Sequence, residues 1–142
     1  MRFNSGLFEA RIREINEALQ LLKELLAKKF EEFTIYERLS VRYLLIQLVE
    51  AAASICMQIL YDMFNERAEG YPDCFSRLGV RSVIPEDLAS RLASAARLIN
   101  LLVHRYWDII DEKVYESAKR GLRDFEEFVM YVRRFGEVRG DG

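Results

Sequence analysis

The sequence is poor in the residues that interrupt or cross-link a chain. Its 142 residues include two prolines, seven glycines, two cysteines and one histidine. So few chain breakers favour long regular elements over many short ones, and two cysteines are too few for a disulfide scaffold. A single histidine without ligand spacing around it argues against a metal site. We therefore expect neither a metal ion nor another cofactor.

Long apolar stretches are also missing. No uncharged apolar run reaches the length of about 18 residues that suggests a membrane span. Residues 2–17 alternate charged and apolar groups without the hydrophobic core of a signal peptide. The sequence therefore predicts a reduced, cytoplasmic protein that is not associated with a membrane.

An excess of either charge is absent too. Lysine and arginine total 21 against 23 acidic residues, which gives a formal net charge of −2. No global positive field exists to attract the phosphates of a nucleic acid. A local surplus does exist between Arg77 and Arg105, where five arginines face only Glu86 and Asp87, a net charge of +3. Nucleic-acid binding would have to depend on such a local patch.

What the sequence does contain is a set of apolar residues spaced three or four positions apart, which is typical of amphipathic helices. Four long helices are predicted, over about residues 7–33, 36–66, 85–104 and 111–135. Asn4 or Ser5 can cap the first helix, and Asp111 can cap the last.

The stretch between the second and third long helices is irregular, and we expect a short turn or helix there, anchored by Phe75 and Leu78. Four long amphipathic helices with short connections form an antiparallel up-and-down four-helix bundle. The prediction is thus one all-α domain over residues 1–135, followed by a flexible C-terminal tail over residues 136–142.

The single histidine lies in the stretch of the chain that holds the best candidates for catalytic or binding residues. His104 ends the third long helix, and Arg97, two turns earlier, lies on the same helical face. Arg105 and Tyr106 follow directly. An imidazole transfers protons near neutral pH, and arginine stabilises charge that develops on phosphate oxygens. The alternative is structural: His104 caps the helix, and Tyr106 with Trp107 packs the loop against the bundle.

Residues 100–111, with the sequence NLLVHRYWDIID, resemble the signature of HepT-like proteins in the HEPN superfamily: an asparagine, then V-H-x-Y, then an acidic residue before the last helix. Residues 43–51 resemble the second helix of that family, residues 71–78 its connecting turn and residues 122–128 its last helix. The likeness covers about residues 7–135.

This resemblance implies a HEPN fold, a homodimer and the metal-independent endoribonuclease activity of a toxin in a toxin–antitoxin pair. In that family, the arginine and histidine of an R-x4–6-H motif act together on RNA. A minimal nucleotidyltransferase antitoxin (MntA-like) silences the toxin by adding AMP to the tyrosine of H-x-Y. Carried over, His104 is the expected catalytic histidine and Tyr106 the expected modification site, with Asn100 and Arg105 in supporting roles.

The arginine departs from the family pattern. In the commonest HepT form it directly precedes the asparagine, where this chain has Ile99. Arg97 supplies an R-x6-H spacing instead, but positions 97 and 99 point about 200° apart on a helix, and Ile99 falls on the core stripe. Glu50 of the second helix is a candidate to orient Arg97. Three alternatives stay open: Arg97 substitutes for the family arginine, Arg105 does, or the chain is a weak or inactive nuclease.

In the last case the protein is a dimeric module that binds a nucleotidyltransferase without cutting RNA. A helical dimer with no enzymatic activity fits the hydrophobic pattern equally well.

Overall fold

The computed structural model describes the backbone of residues 5–140 and the side chains of residues 5–137. Within that range it has five α-helices and no strand: α1 (Ser5–Leu26), α2 (Ile35–Phe64), α3 (Tyr71–Val80), α4 (Glu86–His104) and α5 (Asp111–Gly140). Short 3-10 helices precede α2 and α5, at Phe30–Glu32 and Tyr106–Asp108. The predicted all-α fold, with a short helix between the second and third long helices, is confirmed.

The four long helices form a closed bundle. α1 packs against α2 and α5, and α4 packs against the same two helices, while α3 covers α4 and part of α2. Phe75 of α3 reaches into the core and meets Phe128 of α5 edge to face, with ring centroids 5.8 Å apart. The core is therefore continuous from the short helix to the last long one.

The central helix of the bundle is α2. It is long and apolar enough, by length and composition alone, to cross a membrane. Many of its apolar side chains instead face other helices, and 61% of its most apolar stretch is buried within the bundle. Other large apolar side chains of α2, among them Tyr43 and Tyr61, remain exposed on its outer face.

The first helix ends at Leu26, earlier than the predicted end near residue 33, and a short 3-10 helix at Phe30–Glu32 separates it from a capping box that starts the next helix. The Thr34 hydroxyl accepts from the Glu37 backbone N–H at 3.1 Å, and the Glu37 carboxylate accepts from the Thr34 N–H at 2.9 Å. The Lys28 ammonium also donates to Glu37 at 2.8 Å, and this bond holds the pKa of Glu37 below its usual value.

At the other end, α5 continues to Gly140, so residues 136–140 of the predicted tail are helical. Arg133 binds Glu9 of α1 at 3.0 Å, and Phe135 stacks near Phe64 with centroids 6.1 Å apart. These contacts fix the last turns of the helix against the bundle. Residues 141 and 142 of the tail lie outside the described residues, as does Asn4, one of the two predicted caps of α1.

A disulfide joins α2 to α3 between Cys56 and Cys74, whose Cα atoms are 6.2 Å apart. Both cysteines are buried, and the prediction of a reduced protein is wrong for this pair. The connection between the two helices turns through Asn65 (φ 55°) and Gly70 (φ 114°), both in left-handed backbone conformations. This turn brings together two cysteines that are 18 residues apart in the chain.

Candidate functional site

A pocket of about 580 Å³ opens between α4, the middle of α2 and the start of α3. Arg97, Asn100 and His104 of α4 contribute to its walls. Their spacing of three and four residues places the three side chains on one helical face. Glu50 of α2, Glu69 of the connection before α3, and Tyr71 of α3 add further polar groups to the lining.

Arg97 and His104 are both exposed at this pocket. Within residues 5–137, neither side chain forms a hydrogen bond or an ion pair with another residue. The last turn of α4 is instead closed by the backbone, since the Arg105 N–H donates to the Leu101 carbonyl at 2.7 Å. No contact of the imidazole therefore supports the alternative in which His104 caps the helix. A cation and an imidazole without internal partners are available to an anionic ligand.

Ile99 lies at the floor of the same pocket and is 3% exposed, so its predicted place on the core stripe is confirmed. No cation occupies this position, at which HepT-like proteins commonly carry their arginine. Arg97 supplies a positive charge at the pocket, whose lining also holds the carboxylates of Glu50 and Glu69.

Glu50 and Tyr71 are joined by a hydrogen bond that the sequence does not predict. The Tyr71 hydroxyl donates to the Glu50 carboxylate at 2.5 Å. This hydrogen bond, together with partial burial and the carboxylate's charge, raises the pKa of Tyr71 to about 12. The phenol consequently stays protonated in the range above pH 10 in which an ordinary tyrosine ionises. Glu50, predicted as a partner of Arg97, forms no ion pair with it among the described side chains.

Arg105 and Tyr106 lie just beyond the helix, outside the lining of this pocket. Arg105 pairs with Asp108 at 2.8 Å. The Tyr106 side chain is 62% exposed and meets Trp107, itself 66% exposed, edge to face with ring centroids 5.2 Å apart. The structure therefore separates the predicted site into a pocket on α4 and an aromatic pair on the following turn.

Arg42 of α2, which the sequence analysis missed, holds that turn. Its guanidinium donates to the carbonyls of Tyr106 and Ile109, at 3.1 and 2.6 Å, and to the carboxylate of Asp111 at 2.7 Å. Asp111, predicted as the cap of the last helix, thus serves as the acceptor for Arg42. The only sequence signal for this role is a charged residue beside the apolar stripe of α2.

Comparison with known proteins agrees with the sequence resemblance. The family model described as ribonuclease HepT-like matches residues 15–132. A tRNA nuclease HepT from Aphanizomenon flos-aquae (strain 2012/KM1/D3) is 28% identical in an alignment 135 residues long, which covers 90% of this chain and 86% of that protein.

Two solved structures show the same fold. One is the tri-AMPylated Shewanella oneidensis HEPN toxin in complex with its MNT antitoxin, which is 21% identical with a TM-score of 0.82, covering 90% of this chain and 97% of the toxin. The other is YutE, a cytosolic protein of unknown function from Bacillus subtilis, which is 17% identical with a TM-score of 0.85, covering 99% of this chain and 96% of YutE.

Proposed function

Because the chain belongs to the ribonuclease HepT-like family, we propose that it is a metal-independent endoribonuclease and the toxin of a toxin–antitoxin pair. The observation that carries the proposal is the pocket on α4, where Arg97, Asn100 and His104 share one wall and the first and last have no internal partner. The curated tRNA nuclease HepT, related over 90% of the chain, supports the assignment to RNA.

In the proposed reaction, a ribose 2′-oxygen attacks the adjacent phosphorus and the bond to the leaving 5′-oxygen breaks. One proton leaves the 2′-hydroxyl and another is taken up by the 5′-oxygen. His104 carries out one of these transfers and water the other, since an imidazole can act as a general base or a general acid. Arg97 stabilises the negative charge that develops on the non-bridging oxygens. Asn100, on the same wall, orients the base or the imidazole.

Between the two arginines that the sequence leaves open, the geometry favours Arg97. Arg97 lines the pocket and its guanidinium is unengaged within the described side chains, whereas Arg105 lies outside the pocket lining and is paired with Asp108. The charge and the N–H donors of an arginine that is paired with a carboxylate interact less strongly with a phosphate. We assign Arg105 a supporting role in holding the turn after α4.

We further propose a homodimer. Large apolar side chains stay exposed along the outer face of α2 and at the end of α4, on both sides of Glu50 and the pocket: Tyr43, Met57, Tyr61, Leu101 and Val103. A patch of this kind is typical of a protein interface. A second copy on this surface would bring two pockets near each other, each with its own Arg97 and His104. Light scattering on the purified protein tests this directly, and a monomer at micromolar concentration would contradict it.

The proposed antitoxin is a minimal nucleotidyltransferase that adenylylates Tyr106. Tyr106 has the exposure that modification needs, and the related Shewanella toxin is AMPylated and bound to its antitoxin. Each added AMP brings a negative phosphodiester and a bulky base close to the pocket, where it would compete with RNA phosphates for the arginines. We place the pair in the cytoplasm, in keeping with the cytosolic relative YutE.

The second candidate is a catalytically inactive dimer that only binds the nucleotidyltransferase. Ile99 favours it, because the position of the family arginine is apolar and buried.

Incubation of unmodified protein with total RNA and a chelator decides between the two. Mass spectrometry first confirms that Tyr106 carries no AMP. We expect cleavage by the wild type, none by His104→Ala, and normal cleavage by Arg13→Ala, which removes an exposed arginine of α1 outside the pocket. Cleavage that survives His104→Ala would refute the mechanism, and the absence of cleavage by well-folded wild type would favour the inactive dimer.

A further inference from the structure

The turn that carries Tyr106 has little internal structure to hold it. Within the short 3-10 helix Tyr106–Asp108, the Asp108 N–H donates to the Arg105 carbonyl at 2.9 Å, and the Ile109 N–H reaches the Tyr106 carbonyl only at 3.5 Å. A single turn with one long hydrogen bond is readily deformed.

Ile109 packs against the hydrophobic core, and one side chain from another helix supplies further hydrogen bonds. Arg42 binds the carbonyl at the start of the turn, on Tyr106, the carbonyl just after it, on Ile109, and the carboxylate of Asp111 at the start of α5. The Arg42 side chain is only 15% exposed, so these hydrogen bonds are partly shielded from water. Arginine suits this role because its planar fork of donors reaches several acceptors at once.

The contacts of Arg42 fix the backbone of the turn and leave its aromatic side chains free. Both carbonyls that it binds belong to the main chain, while the rings of Tyr106 and Trp107 point outward and are more than half exposed. The segment is thus held from behind and presented to solvent in front.

We propose that Arg42 is a positioning residue that holds residues 106–111 in the geometry in which the Tyr106 phenol can be adenylylated. This inference rests on the proposed function. In the reaction, the phenolic oxygen attacks the α-phosphorus of a nucleoside triphosphate, the bond to the β-phosphate oxygen breaks, pyrophosphate leaves and the phenolic proton passes to a base of the transferase or to water. Such an attack needs the phenol oxygen held in line with the leaving group.

Three variants separate positioning from charge. Arg42→Met keeps part of the aliphatic stem and loses every contact to the turn. Arg42→Lys keeps the charge near Asp111, but one ammonium cannot span both carbonyls and the carboxylate. Asp111→Asn removes only the ion pair and leaves Arg42 bound to the two carbonyls. We expect the adenylylation rate to fall about 10- to 100-fold in Arg42→Met, because small misplacements of a reacting group have effects of this size, less in Arg42→Lys and least in Asp111→Asn.

Arg91 provides a matched control. Its guanidinium also ties helices together, through ion pairs to Asp87, Asp124 and Glu127, on a surface that does not include the turn after α4. Arg91→Met should lower the melting temperature about as much as Arg42→Met and leave adenylylation unchanged. A merely structural role of Arg42 would instead make adenylylation follow the melting temperature across all four variants.

Trp107 gives a readout that needs no transferase. It is the only tryptophan of the chain, so intrinsic fluorescence comes from the turn itself. Fluorescence anisotropy of Trp107 should fall in Arg42→Met and stay unchanged in Arg91→Met, since only the former frees the segment.

The deciding experiment combines both readouts, using the purified toxin, its cognate nucleotidyltransferase, ATP and Mg²⁺, with AMP on Tyr106 followed by mass spectrometry. RNA cleavage by Arg42→Met should persist, because Arg42 does not line the pocket. Equal adenylylation of wild type and Arg42→Met overturns this inference and leaves the proposed function intact. A wild type that is never adenylylated on Tyr106 overturns the proposed regulation and this inference together.

Discussion

The assignment of the catalytic arginine can be tested by comparing Arg97→Ala with Arg105→Ala. Both residues are exposed arginines within one turn or two of His104, and both changes remove one positive charge. They differ in where the guanidinium lies: Arg97 lines the pocket without an internal partner, whereas Arg105 pairs with Asp108 outside the pocket lining. The two variants are thus matched in the residue that is removed and differ in its surroundings.

The structure sets the expected sizes of the two effects. Loss of one preorganised donor to developing oxyanion charge lowers rates about 10²- to 10³-fold. Because Arg97 is exposed and its field is partly screened by water, we expect the lower end, about 100-fold or roughly 2.7 kcal/mol in transition-state free energy. The free energy of unfolding should change by less than about 0.5 kcal/mol, since no internal bond of the side chain is lost.

Arg105→Ala removes only a surface ion pair, worth about 0–1 kcal/mol. If the whole of that free energy were lost from transition-state stabilisation, the cleavage rate would fall by a factor of about five at most. A small loosening of the turn around Asp108 is the expected physical cause.

Single-turnover cleavage of a fixed RNA by unmodified protein, in the presence of EDTA, measures both effects, with thermal unfolding run on the same preparations. The reasoning is refuted if Arg105→Ala loses 100-fold while Arg97→Ala cleaves normally. It is also refuted if Arg97→Ala loses activity only in step with a fall in melting temperature.

Two further predictions concern the walls of the pocket and the helix behind it. Since Tyr71 donates to Glu50, its pKa lies above the ordinary value of 10, at about 12. The stability that the neutral phenol contributes should be complete below pH 10 and be lost as the pH rises towards 12. An ultraviolet titration should show one tyrosine that ionises at higher pH than the others and is absent in Tyr71→Phe. Seven tyrosines that titrate together would contradict this. Gly79→Ala would place a Cβ 2.7 Å from that of Ala89, which should destabilise the protein by about 1–3 kcal/mol in denaturant unfolding. The matched change Gly121→Ala, whose Cβ would meet nothing nearer than 3.8 Å, should be neutral or stabilising, and equal losses in both variants would show that packing against Ala89 is not the cause.

The sequence predicts the helices well, because apolar periodicity records which face of each helix is buried. It predicts their ends less well, because an end depends on a few local hydrogen bonds. The apolar stripe of the first helix continues to Phe30, while Thr34 and Glu37 carry a capping box that is readable in the sequence and starts a new helix. The capping box accounts for where α2 begins, whereas the apolar stripe alone does not reveal that α1 already ends at Leu26.

The same contrast applies to the site. Residues 97, 100 and 104 share a wall because helical periodicity is a local property, which a sequence reveals. The contacts of Arg42 join residues that are 64 to 69 positions apart, and Tyr71 with Glu50 are 21 apart. Nothing in a single sequence couples such positions, since their meeting depends on how the whole bundle packs. Arg105 and Tyr106 fall outside the pocket because helical periodicity stops where α4 ends.

Ile99 is the position where family pattern and physical environment conflict most directly, and Ile99→Arg tests which one limits activity. The side chain is 3% exposed, so an arginine there should lower the free energy of unfolding by about 1–3 kcal/mol through overpacking and lost hydration. The same position lines the pocket, and an arginine long enough to leave the core would place its guanidinium among Asn100, His104 and Glu50. In an Arg97→Ala background, we therefore expect Ile99→Arg to restore cleavage at least about 10-fold, a gain of roughly 1.4 kcal/mol in transition-state stabilisation. Circular dichroism and thermal unfolding establish that the double variant is folded, and Ile99→Lys controls for charge without the arginine fork. A folded double variant that cleaves no better than Arg97→Ala would mean that cation placement does not limit catalysis in this pocket.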